Sequence, residues 1–112
     1  ARGPMLFAWG ENGTLRTFSL DGSGHVKLLA HGADVASADL ADPANPSLGG
    51  MPGGMLTASS NGVQNGIVWT TAPVNGDANQ MAVPGAVRAY DASACGAGDK
   101  TADGVPKWKK IW

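Results

Sequence analysis

Leu15-Arg16-Thr17-Phe18-Ser19-Leu20 and Val87-Arg88-Ala89-Tyr90-Asp91-Ala92 are the two stretches on which the fold of this chain turns. They agree in residue type at every position but the fifth. Each sets an apolar residue before an arginine, a small residue before an aromatic, and an apolar residue at the close. Recurrence of one such pattern along a chain is the mark of a repeat architecture, in which similar units stack to bury their faces. Working outward, Leu6-Phe7-Ala8-Trp9 precedes the first stretch across a Gly10-Glu11-Asn12-Gly13 turn, and Ile67-Val68-Trp69-Thr70 precedes the second. An Asn-Gly turn between two β-type runs reads as a hairpin. Downstream, Val26-Lys27-Leu28-Leu29-Ala30 answers to Trp108-Lys109-Lys110-Ile111-Trp112. Met55-Leu56-Thr57-Ala58-Ser59-Ser60 has no counterpart in the first copy and supplies the second with an extra, innermost strand.

Composition points the same way. Among 112 residues there are 17 glycines and 7 prolines with no collagen-like period, which favours many short strands joined by turns. Apolar residues make up 43%, enough for a core, and charged residues only 15%, fewer than long exposed helices carry. Seven candidate strands and no sustained helical pattern give an all-β chain. The net charge of −1 and thinly spread Lys and Arg exclude a basic face of the kind that binds nucleic acid. No apolar run approaches the roughly 18 residues of a membrane span. Cys95 is the only cysteine, so no internal disulfide forms, and no adjacent residue makes an activating pair for it. The opening Ala1-Arg2-Gly3-Pro4, without initiator methionine or signal peptide, is expected to reflect processing, excision or a tag.

Val87-Arg88-Ala89-Tyr90-Asp91-Ala92-Ser93, followed after an insertion by a tryptophan-bearing strand, resembles the repeat of bacterial quinoprotein-like (pyrroloquinoline-quinone-like, PQQ-like) β-propellers. Met55-Leu56-Thr57, Gly66-Ile67-Val68-Trp69 and Pro84-Gly85-Ala86-Val87 also look like strands of such propellers. The resemblance covers roughly residues 5–30 and 48–112. Asp91 matches the family's "V-x-A-x-D-A" strand. The usual Thr-Gly turn is replaced by Ala94-Cys95-Gly96-Ala97-Gly98, and Ser19 stands at the aspartate position of the first copy. The resemblance implies a β-propeller segment of about two four-stranded antiparallel blades. The expected division is residues 1–32 as a partial, three-stranded blade, 33–54 as a long inter-blade loop, and 55–112 as a complete four-stranded blade.

The same topology brings the two longest polar loops, residues 31–54 and 72–85, to one side of the molecule, where a binding site is expected. His31, Asn75, Asp77 and Asn79 are the candidate ligand-binding residues: Asn75, Asp77 and Asn79, with Gln80, through hydrogen bonds to a sugar or a quinone carboxylate, and His31 as a base or ligand at the start of the long loop. The plainer account of Asn75, Asp77 and Asn79 is that turns are built from such residues. Asp34, Asp39 and Asp42 could offer oxygens to calcium, but no Asp-x-Asn-x-Asp-Gly loop is present, and solvation of a loop explains them as well. No metal site is assigned. Arg16 and Arg88 recur at equivalent positions and suit a shared structural duty. Trp9, Trp69, Trp108 and Trp112 are expected to pack between blades. In the terminal run the two tryptophans, four residues apart, are expected on one strand face, with Lys107 and Lys109 on the other. Neither glycine-rich segment, 10–13 or 49–54, leads into a helix, so phosphate cradling is not supported.

These readings give a structural or ligand-binding segment of a larger secreted or periplasmic β-propeller protein, hence extracytoplasmic, with no complete catalytic set in this chain. The alternatives are a fragment of a PQQ-dependent dehydrogenase, whose full ring would hold PQQ and calcium, and a carbohydrate-binding repeat module. Because a repeat unit buries its faces only against neighbours, the expected partners are the rest of the propeller or other copies of the chain, with no nucleic acid and no membrane span.

Overall fold

A computed structural model describes residues 3–39, 50–92, 108 and 110–112. It contains six strands: β1 (Met5–Ala8), β2 (Thr14–Leu20), β3 (Val26–Val35), β4 (Met55–Asn61), β5 (Gln64–Pro73) and β6 (Gly85–Asp91). They form two three-stranded antiparallel sheets, ordered β1-β2-β3 and β4-β5-β6. The chain is therefore all-β, and six of the seven runs expected from sequence are strands. Of the 31–54 loop, residues 31–35 belong to β3. Asp42, Lys109 and the whole 93–107 connector, with Cys95 and Lys107, lie outside the described residues.

Each tight connection has a local cause. Between β1 and β2, Asn12 takes the left-handed conformation (φ 54°), which asparagine tolerates. There the Trp9 indole N–H donates to the Gly13 carbonyl at 2.7 Å. Between β2 and β3, the Asp21 carboxylate accepts the backbone N–H of Ser23 and of His25, both at 2.9 Å. Those two bonds, His25's first, hold its carboxyl below the usual carboxylate range. Between β4 and β5, Asn61 pairs with Gln64 around a two-residue Gly62-Val63 turn, with Gly62 at φ 59°.

The two sheets share a register that sequence matching alone places one residue off. Met5, Leu6, Phe7 and Ala8 pair with Ser19, Phe18, Thr17 and Arg16. Ile67, Val68, Trp69 and Thr70 pair in the same order with Asp91, Tyr90, Ala89 and Arg88. Phe7 thus corresponds to Trp69, and Leu6 to Val68 rather than to Ile67. The offset matters because a one-residue slip moves every side chain to the opposite face.

The terminal run completes the correspondence without becoming a strand. Tyr90 and Lys110 form an isolated antiparallel bridge, as Phe18 pairs with Leu28. The Ala89 carbonyl then accepts N–H from both Ile111 (2.8 Å) and Trp112 (3.3 Å), the bonding pattern of a β-bulge. In the first sheet a register shift falls at the equivalent place, between Thr17↔Ala30 and Phe18↔Leu28. The bulge corrects the expectation that Trp108 and Trp112 share a face. Trp108 is 7% exposed and Trp112 69%. Lys110, on the Trp108 side, is half-exposed and directs its ammonium to Asp34 of the first sheet. The second sheet accordingly has three strands and a bridged segment rather than four strands.

The core lies between the sheets. Phe7, Trp9, Leu15 and Ala30 from the first meet Leu56, Val68, Tyr90 and Trp108 from the second. The Phe7 and Trp108 rings are 5.7 Å apart, Tyr90 and Trp108 6.1 Å, and Trp9 and Tyr90 6.5 Å, all tilted or edge-on as aromatic quadrupoles favour. Fully burying one such large side chain stabilises the fold by about 1.5–3 kcal/mol. With strand alternation, the register fixes how the sheets stack. Leu15 and Thr17 face the second sheet, whereas their counterparts Val87 and Ala89 face away from the first. Arg16 and Phe18 face outward, whereas Arg88 and Tyr90 face inward. The stacking is head-to-tail.

Candidate functional site

One end of the molecule gathers three connections, as the loop reasoning from sequence anticipates for two of them. Ser37 is the joint. It is fully buried with φ 54° and ties three segments together. Its N–H donates to the Pro73 carbonyl at 2.8 Å, its hydroxyl to the Pro52 carbonyl at 2.6 Å, and its carbonyl accepts Gly50 N–H at 3.1 Å. Beside it Gly76 N–H donates to the Ala38 carbonyl (2.9 Å), and Ala78 N–H to the Met51 carbonyl (2.8 Å). The β1–β2 turn joins through Asn12 N–H to the Ala36 carbonyl and Ala36 N–H to the Gly13 carbonyl, both 3.0 Å.

The glycines at 50, 53 and 54 serve close approach. A Cβ at Gly54 would collide with the Trp9 ring, at Gly53 with the Trp9 carbonyl, and at Gly50 with Asp77. Their packing role explains a glycine-rich segment that leads into no helix.

Of the sequence candidates, Asp77 is half-buried in this end, and its carboxylate accepts Asn79 N–H at 2.9 Å and Met51 N–H at 3.2 Å. It closes its own turn and fastens the neighbouring loop. Asn75 is half-buried and Asn79 exposed in the same connection. His31 is not gathered with them. It lies within β3 opposite Arg16, with Nδ1 3.2 Å from the Gly32 carbonyl, while its own carbonyl accepts Trp108 N–H at 3.3 Å. No group of three or more His, Cys, Asp or Glu side chains among the described residues could hold a metal ion. No helix among them is long and apolar enough to cross a membrane.

The strongest electrostatic feature lies between the sheets and was not singled out as a unit from sequence. Asp34, at the end of β3, accepts the Tyr90 hydroxyl at 2.8 Å and the Lys110 ammonium at 3.2 and 3.3 Å, with Arg88 Nε at 3.6 Å. Burial pushes the Asp34 carboxyl up, but the Tyr90, Lys110 and Arg88 contacts outweigh it and hold the group below the usual carboxylate range. Burial, then the hydrogen bond to Asp34, pushes the Tyr90 hydroxyl well above its ordinary value. Two buried donors nearby, Arg88 Nη1 and Trp108 Nε1, have no hydrogen-bond partner, which offsets part of what the clamp contributes. The clamp holds one sheet to the other. Asp34 is committed to that task, which accounts for it better than a calcium site does. A trace of it was present in sequence: Tyr90 differs from its repeat counterpart Phe18 by the one hydroxyl that reaches Asp34.

Arg16 and Arg88, alike by position, diverge in surroundings. Arg16 is exposed on the outer face of the first sheet, and Arg88 is drawn inward to Asp34. Trp9 and Trp108 pack between the sheets as expected, while Trp69 is 39% exposed on the outer face of the second sheet. No protein-family model, no curated protein and no solved structure matches the chain.

Proposed function

We propose that this chain is a structural or ligand-binding segment of a larger, extracytoplasmic β-propeller, two neighbouring units in a succession of stacked sheets. One observation carries the reading: two sheets of matching register stack head-to-tail and leave large apolar side chains exposed on both outward faces. On the first sheet Leu6 is 53%, Leu20 40%, Val26 58% and Leu28 38% exposed; on the second, Met55 is 73% and Val87 52% exposed. Water-facing strands of a finished sandwich would carry polar residues at these positions. Faces of this kind are supported by further sheets in a repeat array. The quinoprotein-like resemblance of residues 5–30 and 48–112 supports the propeller and its extracytoplasmic setting. A binding role falls to the end built around Ser37, where Asn75, Asp77 and Asn79 lie on one long connection anchored to its neighbours by hydrogen bonds.

The test is thiol labelling of the full natural protein, with Cys95→Ser as background. Leu6→Cys and Val87→Cys, on the two outer faces, are expected to react far more slowly than Asn79→Cys at the loop end. Equal reactivity at all three positions would refute the stacked-sheet reading.

A further inference from the structure

The internal contact between the two sheets specifies what its own bare faces fit. Position by position, the face that the first sheet turns toward the second (Phe7, Leu15, Thr17) recurs on the outward side of the second sheet as the exposed Trp69 and Val87 and the buried Ala89. The face that the second sheet turns toward the first (Val68, Tyr90, Trp108) recurs on the solvent side of the first as Leu6, Phe18 and Val26. Exposure tracks this exchange at three of the pairs, whereas Thr17 and Ala89 are both buried, at 0% and 1%. Leu15 is fully buried and Val87 52% exposed; Val68 is 1% exposed and Leu6 53%; Trp108 is 7% exposed and Val26 58%.

We infer that a second copy of this chain docks on the outer face of β4-β5-β6, presenting the outer face of its own β1-β2-β3 sheet in the register of the internal contact. The inference rests on the stacked-sheet reading above and names the partner. Trp69 takes the place of Phe7 and meets Val26 of the next copy where Phe7 meets Trp108. A large-against-small pair thus replaces a medium-against-large one, keeping the gap between sheets filled. Phe18 stands where Tyr90 stands and Leu28 where Lys110 stands, so two of the three groups that reach Asp34 inside the chain become apolar between chains, while Arg88 is answered by the exposed Arg16. Each copy offers two different faces, so the contact is heterologous and either closes into a ring or propagates.

The experiment is sedimentation equilibrium of the 112-residue chain from about 1 to about 200 µM, with three samples. The wild-type chain is expected to form species of two or more copies. Trp69→Arg and Leu6→Arg, each spoiling one face, are expected to be monomers, with association weakened at least about 100-fold. Mixed together, the two variants are expected to form a 1:1 heterodimer that grows no further, since one retains an intact first-sheet face and the other an intact second-sheet face. Far-ultraviolet circular dichroism checks that each variant stays folded; Val87→Glu and Val26→Glu serve as the replacement pair if either does not. A wild-type chain that stays monomeric overturns the inference, as does a single variant that still self-associates, because that requires two like faces to pair. A monomeric chain whose Leu6→Cys and Val87→Cys positions are nonetheless protected in the natural protein removes the second copy as partner and leaves the stacked-sheet reading standing.

Discussion

Replacing Tyr90 by Phe removes one atom from the space between the sheets and tests the clamp directly. The Tyr90 ring is 1% exposed and packs at 6.1 Å from Trp108, so the ring remains and only the hydroxyl is lost. That hydroxyl donates at 2.8 Å to the Asp34 carboxylate. A hydrogen bond to a charged group contributes about 1.5–3 kcal/mol, and Asp34 keeps Lys110 and Arg88, which places the cost near the lower end, about 1.5 kcal/mol. For a chain of 112 residues this corresponds to a fall in Tm of about 6 °C. The assay is urea and thermal unfolding of wild type, Tyr90→Phe, Asp34→Asn and the double variant at one protein concentration, because association would raise the apparent stability. The double-mutant cycle should return a coupling of about 1 kcal/mol or more between the two side chains. The argument fails if Tyr90→Phe lies within about 0.3 kcal/mol of wild type, or if its cost is the same with and without the Asp34 carboxylate.

Three further outcomes follow from the geometry. Leu15→Ala, at a fully buried site, should cost about 3 kcal/mol in chemical denaturation of the dilute monomer, whereas Leu6→Ala, 53% exposed, should cost less than about 1 kcal/mol there. Gly54→Ala drives a methyl group into the Trp9 ring and should cost about 2 kcal/mol or more; Gly22→Ala meets nothing within 4 Å and should be close to neutral, both read from denaturation midpoints. Because the folded Asp34 carboxyl is held below its unfolded value of about 3.9, its contribution is present above that pH and is lost as pH falls through the lower folded value. Urea midpoints between about pH 2 and pH 7 should therefore show a steeper acid decline in wild type than in Asp34→Asn. Tyr90 acts in the opposite sense: its neutral hydroxyl is favoured by folding, so its contribution holds below about pH 10 and is lost as pH rises through the higher folded value.

Much of the fold was legible because its causes are local. Runs of β-branched and aromatic residues between glycine- and asparagine-bearing turns mark strands within a few residues of their true ends, and β1 through β6 arise in this way. The repeat of 15–20 in 87–92 was also visible, since it lies in the order of residue types. The end of β3 was not: Gly32-Ala33-Asp34 carries no strand signal of its own and is extended because β2 pairs with it, Thr14 opposite Val35. For the loop end, the proximity of the two long connections followed from strand order. Its joint, Ser37, did not, because a serine at positive φ with three backbone partners looks like any loop serine until those partners arrive.

The amino-acid order by itself determined that the chain is β throughout, where its turns fall, and that one unit is written twice. Only the tertiary structure decided which way each copy of that unit faces. Side chains alternate across a strand, so a shift of one residue between Leu6 and Ile67, or one extra residue at Ile111, reverses inside and outside, and hydrogen bonds to a neighbouring strand, absent from any linear pattern, set that choice. The same pairing brought Asp34 to Tyr90, two residues 56 positions apart whose attraction exists only once the sheets have closed on each other.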